Sequence, residues 1–272
     1  MRRNVVFALV LFRVLNALAI STYFNPDEYW QSVEVAHSIA FGRGHQTWEW
    51  QPEHRLRGYL HPLVFAALYK LLALLRLDTR LLVATTPWML QGALAAAADV
   101  CVYRFADRLF GKHAAQWALI ANLTNWFVGY CMVRTFSNSM ETVFAAAAFA
   151  LWPWSSDGGP AGANRVAALA FAAIACAFRP TSAVVWLLPG VVLFLRARDR
   201  LRLLLAEVVP IGAAVVLLTL LVDRAFYGVW TFVPLNFVNF NAVQGGALAR
   251  AVPVSIFILD SRRRKRAVWR EL

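Results

Sequence analysis

Apolar stretches separated by short polar or basic segments recur along the chain from residue 5 to residue 222. An α-helix needs about 20 apolar residues to cross a bilayer, with a usual range of about 17 to 25. The longer stretches meet this length and the shorter ones do so with their flanks, which predicts roughly six or seven crossings. The stretches span residues 5–20, 60–77, 81–102, 114–133, 140–152, 166–178, 181–195 and 203–222. The pattern therefore predicts an all-α, polytopic membrane protein.

Composition agrees with a membrane setting, because 60% of the 272 residues are apolar and only 15% are charged. The net charge of +12 is divided among short clusters between the apolar stretches. It therefore indicates contacts with membrane lipids rather than with nucleic acid. Cys101, Cys131 and Cys176 lie inside apolar stretches, without paired spacing or a nearby set of histidines. Neither a disulfide framework nor a metal site is expected.

The first apolar stretch follows two arginines, Arg2 and Arg3. Under the positive-inside rule they predict an uncleaved signal-anchor whose basic end lies in the cytosol. Residues from 22 onward then enter the lumen. A cleaved signal peptide ending in the small residues at 17–19 is the alternative.

Residues 60–77 decide the rest of the topology, because they are barely long enough to cross and contain Lys70 and Arg76. If they cross, the basic clusters at 104–112 and 196–202 lie in the lumen, against the positive-inside rule. If they lie along or dip into the lumenal interface, both clusters become cytosolic. We expect the second arrangement.

With that topology, the polar interruptions of the apolar pattern gather on the lumenal side. Several ionisable residues meeting at one depth of a membrane protein predict a functional site. Ordinary anchoring at the interface is the alternative. The interruptions are Asp27 and Glu28, residues 48–61, residues 134–141, residues 179–180 and residues 223–241.

Asp27 and Glu28 follow Pro26, which ends the preceding helix. They can open the next helix, where carboxylates suit the positive helix terminus. An acidic first turn without a functional role is the alternative. From residue 29 to residue 40 the pattern is amphipathic, with Trp30, Val33, His37 and Phe41 on one stripe, as in a helix lying on a membrane surface.

Other polar groups have both a functional and a plain interpretation. Trp48 and Trp50 flank Glu49, an arrangement that suits a sugar face as well as an interfacial belt. Arg134 and Arg179 can hold a phosphate by paired donors, or contact lipid headgroups. His61 opens the ambiguous stretch and is expected near headgroup depth. Asp99 lies inside an apolar stretch and is expected to be structural, either in a polar contact between helices or paired with Arg104.

Six separated motifs together resemble the mannosyltransferases that use dolichyl phosphate mannose, glycosyltransferase family 22. Within that family they resemble the enzymes that add the third mannose of the glycosylphosphatidylinositol (GPI) anchor. The likeness covers about residues 21–241 and keeps the motif order of the family. The motifs are PDEYWQS at 26–32, TWEW at 47–50, LR and HPL at 56–63, RTFSNSME at 134–141, RPT at 179–181 and DRAFYGVWT at 223–231.

The resemblance implies a multi-pass endoplasmic-reticulum enzyme of the GT-C fold, with a long first lumenal loop and a lumenal active site. It implies inverting transfer of mannose from dolichyl phosphate mannose to the second mannose of a lipid-linked GPI intermediate, in an α1,2 linkage and without a cofactor. Asp27 is then the catalytic base and Glu28 its orienting partner or an alternative base, since the attacking hydroxyl must lose a proton. Arg134 or Arg179 would stabilise the departing phosphate. The candidate substrate-binding residues are Trp30, Trp48, Glu49, Arg57, His61, Arg134, Asn138, Arg179, Asp223 and Arg224.

The resemblance also divides the chain into a transmembrane catalytic module at 1–241 and an atypical basic tail at 242–272. The C-terminal region of the family is expected to be missing after that point. Two other functions stay open. One is a mannosyltransferase of the dolichol-linked N-glycan precursor, from the same family, and the other is a non-enzymatic lipid transporter or assembly subunit. The sequence has no internal repeat of the kind that transporters carry.

Overall fold

The computed structural model describes residues 1–20, 22, 24–154 and 161–243. Within these ranges every regular element is helical, which confirms the all-α prediction. The α-helices are α1 (Arg3–Ala19), α2 (Glu34–Phe41), α3 (Leu60–Leu74), α4 (Arg80–Thr124), α5 (Trp126–Cys131), α6 (Ser137–Leu151), α7 (Ala161–Phe178), α8 (Ala183–Arg196), α9 (Arg200–Arg202), α10 (Val209–Tyr227) and α11 (Val233–Val238). Shorter helical turns are Tyr29–Val33, Trp48–Trp50, Pro180–Ser182, Leu203–Val208 and Asn239–Val243. Nearly all of the predicted tail at 242–272 lies outside the described residues.

Helix α4 reverses its direction at Gly111, where φ is +84° and only glycine fits without strain. The reversal brings Asn122 back to Asp99, and the Asn122 amide donates a 2.6 Å hydrogen bond to the Asp99 carboxylate. In a straight helix these residues would be about 34 Å apart. The prediction of two stretches at 81–102 and 114–133 that run in opposite directions is confirmed. The predicted loop between them is shorter than expected, because residues 103–110 remain helical.

A buried ion pair joins α1 to α4. The guanidinium of Arg13 donates two hydrogen bonds to Asp99, of 2.7 Å and 2.8 Å, and neither side chain reaches solvent. The polar contact between helices predicted for Asp99 is confirmed, while its pairing with Arg104 is wrong. Residues five apart point to different sides of a helix. The two helices approach closely at Gly92, where an added Cβ would lie 2.9 Å from the carbonyl oxygen of Arg13.

The core near the start of the chain lies between α2, α3, α4 and α6. Its fully buried members include Ala36, Phe65 and Met140. The helical segment that follows Asp27 is amphipathic as predicted, and within the predicted stripe Val33 and Phe41 are partly buried against the core. The Trp30 side of the segment remains partly open, with Trp30 itself 38% exposed. The side that packs against the protein carries Glu28, Ser32, Val35, Ala36 and Ala40.

The helices segregate polar groups to one end and basic groups to the other. At the first end, called the site end, Arg134 contacts Glu28 and Arg179 contacts Glu141. At the opposite end Arg165, near the start of α7, pairs with Asp199 between α8 and α9 at 2.7 Å. The basic clusters at 104–112 and 196–202 lie toward this opposite end, because the first surrounds the reversal at Gly111 and the second starts at the end of α8. The predicted convergence of the polar interruptions is confirmed as an arrangement in space.

Two described helices are long and apolar enough to cross a membrane, Arg80–Thr124 and the continuous helix Arg200–Tyr227 formed by α9, a π-helical turn and α10. Shorter apolar helices occupy Leu60–Leu74, Asn164–Phe178 and Pro180–Arg196. Helix α3 has 15 residues, fewer than a span usually needs. The number of crossings and the sidedness of the loops stay predictions.

Candidate active site

The acidic pair opens a helical segment, as its sequence predicts. Helical backbone starts at Asp27, directly after Pro26. The side-chain oxygen of Asn25 accepts a 3.0 Å hydrogen bond from the Asp27 amide and caps this first turn. Successive helical residues point about 100° apart. Asp27 and Glu28 therefore enter different surroundings.

Glu28 is completely buried against the turn that precedes α6. Its carboxylate accepts a 2.9 Å hydrogen bond from Arg134, whose guanidinium also lies over the ring of Tyr130 at 4.5 Å. The hydroxyls of Ser32 and Thr135 donate to its backbone carbonyl at 2.6 Å and 3.1 Å. Burial raises the pKa of Glu28 above its ordinary value, and the positive charge of Arg134 opposes that rise. These contacts fix the helical segment to the bundle.

Asp27 is half-buried and lies among charged groups that Glu28 does not meet. Burial raises its pKa above the ordinary value, the positive charge of Arg57 opposes this, and the negative charge of Glu49 adds to it. The Gln31 side chain and the more distant charge of Arg179 also favour the ionised form. Asp27 is therefore a half-buried carboxylate under the influence of two guanidinium charges, in contrast to the paired and enclosed Glu28.

The turn Trp48–Trp50 contains Glu49, whose carboxylate pairs with the guanidinium of Arg57. The Arg57 guanidinium donates a 2.7 Å hydrogen bond to one oxygen of Glu49, and Gln31 donates to the other oxygen at 3.1 Å. Trp50 is buried, and its indole donates to the carbonyl of Trp30 at 3.1 Å. The predicted residues Glu49 and Arg57 thus form one unit with the segment that bears Asp27.

The second guanidinium belongs to Arg179, at the boundary between α7 and the turn Pro180–Ser182. It lies 3.2 Å from the carboxylate of Glu141 and donates to the side-chain oxygen of Asn138. About a third of its side chain remains exposed. Asn138 and Arg179, separated by 41 positions in the chain, therefore lie together as the site prediction requires.

A cavity of about 420 Å³ opens beside these groups. Its polar end is formed by Gln31, Arg57, His61, Arg179 and Asp223, three of which act on Asp27. Its body is apolar and lies between α7, α10 and α11. That part is lined by Ala173, Cys176, Ala177, Gly212, Val215, Val216, Phe232, Val233 and Phe237. The shape suits a ligand with a polar head and a hydrocarbon chain.

Asp223 supports the loop that carries Arg57. Its carboxylate accepts a 2.8 Å hydrogen bond from the backbone amide of Tyr59, and the hydroxyl of Tyr227 donates to the carbonyl of Arg57 at 2.8 Å. The ring of Tyr59 stacks on Phe226 at 4.7 Å. The motif at 223–231 therefore positions the 57–59 segment at the cavity.

The remaining predicted residues lie around this centre. The His61 ring packs edge-on against Phe65 at 5.4 Å and borders the cavity. Trp30 and Trp48 are 38% and 39% exposed and do not line it. Arg224 lies over the ring of Trp230 at 4.2 Å, also outside the cavity. No described group of three or more His, Cys, Asp or Glu residues is close enough together to hold a metal ion.

A family model describing the Alg9-like mannosyltransferase family matches residues 4–248. The chain belongs to this family. It is 45% identical to mannosyltransferase APTG1 of Arabidopsis thaliana over 90% of its own length and 44% of that protein. It is 40% identical to GPI alpha-1,2-mannosyltransferase 3 of Mus musculus over 88% of its length and 43% of that protein. It is 41% identical to GPI mannosyltransferase 3 of Yarrowia lipolytica over 89% of its own length and 46% of that protein.

This Alg9-like chain thus spans about half the length of the curated relatives it matches. No solved structure matches it. The family resemblance seen in the six motifs is confirmed, and those motifs are the segments that meet at the site end.

Three residues that matter in this Alg9-like structure were missed in the sequence. Gln31 joins Asp27 to Glu49, Arg13 neutralises Asp99, and Arg55 lines a second cavity at the site end. Gln31 lies four positions after Asp27, so helical spacing could have placed it on the same side. Arg13 interrupts an apolar stretch, which by itself signals a buried partner. Arg55 carries no such signal.

Proposed function

We propose that this chain is the catalytic part of a mannosyltransferase that adds the third mannose of the GPI anchor. The donor is dolichyl phosphate mannose, and the acceptor is the second mannose of a lipid-linked GPI intermediate. The new bond is an α1,2 linkage formed with inversion, without a cofactor. The printed names of the mouse and yeast relatives support the acceptor and, for mouse, the linkage.

One observation carries this proposal. Asp27 lies within electrostatic reach of Arg57 and Arg179, and both arginines line the polar part of an apolar cavity. A polyprenyl phosphate sugar has a long hydrocarbon chain, an anionic phosphate and a reactive anomeric carbon. The cavity offers an apolar surface for the hydrocarbon chain and cations for the phosphate. The carboxylate of Asp27 lies near the position proposed for the anomeric carbon.

Asp27 acts as the general base of the reaction. It takes the proton from the 2-hydroxyl of the acceptor mannose as that oxygen bonds to the anomeric carbon of the donor. The bond from the anomeric carbon to the phosphate oxygen breaks, and its electron pair leaves with the dolichyl phosphate. Arg179 and Arg57 stabilise the negative charge that builds on this phosphate. One carboxylate is enough, because the phosphate leaves without being protonated.

Glu28 and Arg134 have a positioning role. Both are buried and they neutralise each other. Of the roles proposed from the sequence, the geometry favours Glu28 as the orienting partner and Arg179 as the phosphate stabiliser. Arg134 holds Glu28, and Glu28 holds the segment that carries Asp27.

The enzyme is placed in the endoplasmic-reticulum membrane as a multi-pass protein of the GT-C fold, with the site end in the lumen. Segregation of the basic clusters to the opposite end supports this orientation. A glycosylation sequon inserted between Arg198 and Asp199 is expected to stay unmodified in cells. Modification of that sequon would place the basic end in the lumen and overturn the orientation.

The activity can be tested in cells that lack the third GPI mannosyltransferase. The chain is expected to restore surface GPI-anchored proteins and to remove the accumulated intermediate with two mannoses. Asp27→Asn should lower mannose transfer in microsomes by about 10²–10⁴-fold. Asp78→Asn, at an exposed acid outside the cavity, should transfer at the wild-type rate. Equal activity of Asp27→Asn and wild type, or rescue of N-glycan precursor synthesis instead, contradicts the proposal.

A further inference from the structure

A second cavity of about 390 Å³ lies at the site end, between the loop at 52–56 and the segment at 230–240. Unlike the cavity beside Asp27, its wall is mostly polar. Leu56 and Phe232 line both cavities, so the two are neighbours separated by these side chains. A ligand that ends beside Asp27 can therefore continue into the second cavity.

Arg55 lines this cavity and carries a buried donor without a partner. Its Nε is buried without a hydrogen-bond partner among the described residues. Its φ is +47°, in the left-handed region that residues other than glycine rarely adopt. The Asn236 amide holds the Arg55 carbonyl by a 3.2 Å hydrogen bond. Backbone strain of this kind persists where the surroundings enforce it, often at a ligand site.

The other walls combine aromatic faces with neutral polar groups. Trp230 is 58% exposed and is held in place by Arg224, whose guanidinium lies 4.2 Å above its ring. Asn236 also donates to the hydroxyl of Thr231 at 3.0 Å, which leaves its side-chain oxygen as an acceptor. Asn239 adds an exposed amide with no hydrogen bond to the described residues.

We propose that the second cavity binds an uncharged hexose of the acceptor glycan, next to the mannose that reacts beside Asp27. Its lining combines the guanidinium of Arg55, several neutral amide and hydroxyl groups and the indole of Trp230. Such a set matches the hydroxyl groups and the apolar face of a pyranose ring. Among the described lining residues, the positive charge of Arg55 is accompanied by the negative charge of Glu53, so this part of the lining does not favour an anion. This inference rests on the proposed function, because that function supplies the acceptor.

Binding can be measured with the full chain in lipid nanodiscs, with α-linked mannobiose as the probe and saturation-transfer NMR as the readout. Arg55→Gln and Asn239→Ala should each weaken mannobiose binding about tenfold or more. Arg43→Gln, at an exposed arginine outside this cavity, is the matched control and should bind as wild type does. Asn239 is exposed, so its variant should keep the wild-type Tm even if Arg55→Gln does not.

In the transfer reaction, Asn239→Ala should raise the acceptor KM about tenfold while kcat and the donor KM stay unchanged. If the Asn239→Ala variant has the mannobiose affinity and the acceptor KM of the wild type, the inference is overturned. Competition between inorganic phosphate and mannobiose would do so as well, since it marks an anion site.

Asp27→Asn separates the two proposals, because it should abolish transfer but still bind mannobiose. If Asp27→Asn transfers normally, the proposed function fails, and mannobiose binding alone decides the cavity.

Discussion

Arg134 donates a 2.9 Å hydrogen bond to the carboxylate of Glu28, and at most 4% of either side chain is exposed. Removal of one partner of such a buried pair destabilises the fold, because the remaining charge is then buried without a partner. The adjacent carboxylate of Asp27 is free of that constraint. Two neighbouring acids thus serve different purposes at one helix start.

Arg134→Met is therefore expected to lower the Tm by roughly 5–15 °C, because it leaves Glu28 buried and unpaired. The double variant Glu28→Gln with Arg134→Met should recover most of this loss. Thermal unfolding in detergent and the donor KM are the measurements. An unchanged Tm together with a raised donor KM for Arg134→Met would show that Arg134 binds the phosphate directly.

The acidic limb of the pH profile should report on Asp27. A general base works only when ionised, and burial raises the pKa of Asp27, so activity should be lost on acidification at a higher pH than for an exposed aspartate. Arg57→Gln removes a charge that lowers this pKa and should move the limb to higher pH. The profile of kcat/KM against pH measures this. If Arg57→Gln moves the acidic limb to lower pH, or leaves it unchanged, the assignment of Asp27 as the general base is contradicted.

The ion pair inside the bundle predicts a stability effect without a change in the site. Asp99→Leu leaves Arg13 buried without its partner and should lower the free energy of unfolding by about 3–5 kcal/mol. The double variant Arg13→Met with Asp99→Leu should recover most of that loss, because both charges are gone. Unfolding in mixed micelles tests this, and a single variant as stable as wild type would be the contrary result.

Close packing of α1 on α4 can be tested at a glycine. Gly92→Ala places a Cβ 2.9 Å from the carbonyl of Arg13 and should cost about 1–3 kcal/mol of stability. Gly190→Ala is the matched control, since an added Cβ there meets nothing within 4 Å. The control should be neutral or gain up to about 1 kcal/mol from helix propensity. Equal effects of the two substitutions would contradict the close approach.

Charge counting predicted which segments meet at the site end, because positive loops and polar loops sort to opposite ends of the helices. It could not predict which of the two neighbouring acids is buried in an ion pair and which lies near the arginines of the cavity. That depends on the helical phase after residue 27, and the π-helical turn Tyr29–Val33 changes this phase without any signal in the hydropathy. Hydropathy also predicted where the first helix, which carries Arg13, begins. It could not identify the partner of Arg13, because that partner lies 86 positions away in the sequence. Partners at that separation follow only from the packed structure.

The reversal at Gly111 has a consequence for how the chain enters the bilayer during synthesis. Both halves of α4 belong to one helical hairpin, so Asp99 meets the amide of Asn122 within that hairpin. An acid that inserts with a local hydrogen-bond donor is less costly than an isolated one. Arg13, already delivered by the first helix, then completes the neutralisation when the hairpin docks on α1. Insertion and docking are thereby linked, since the hairpin reaches its full stability only beside the helix made before it.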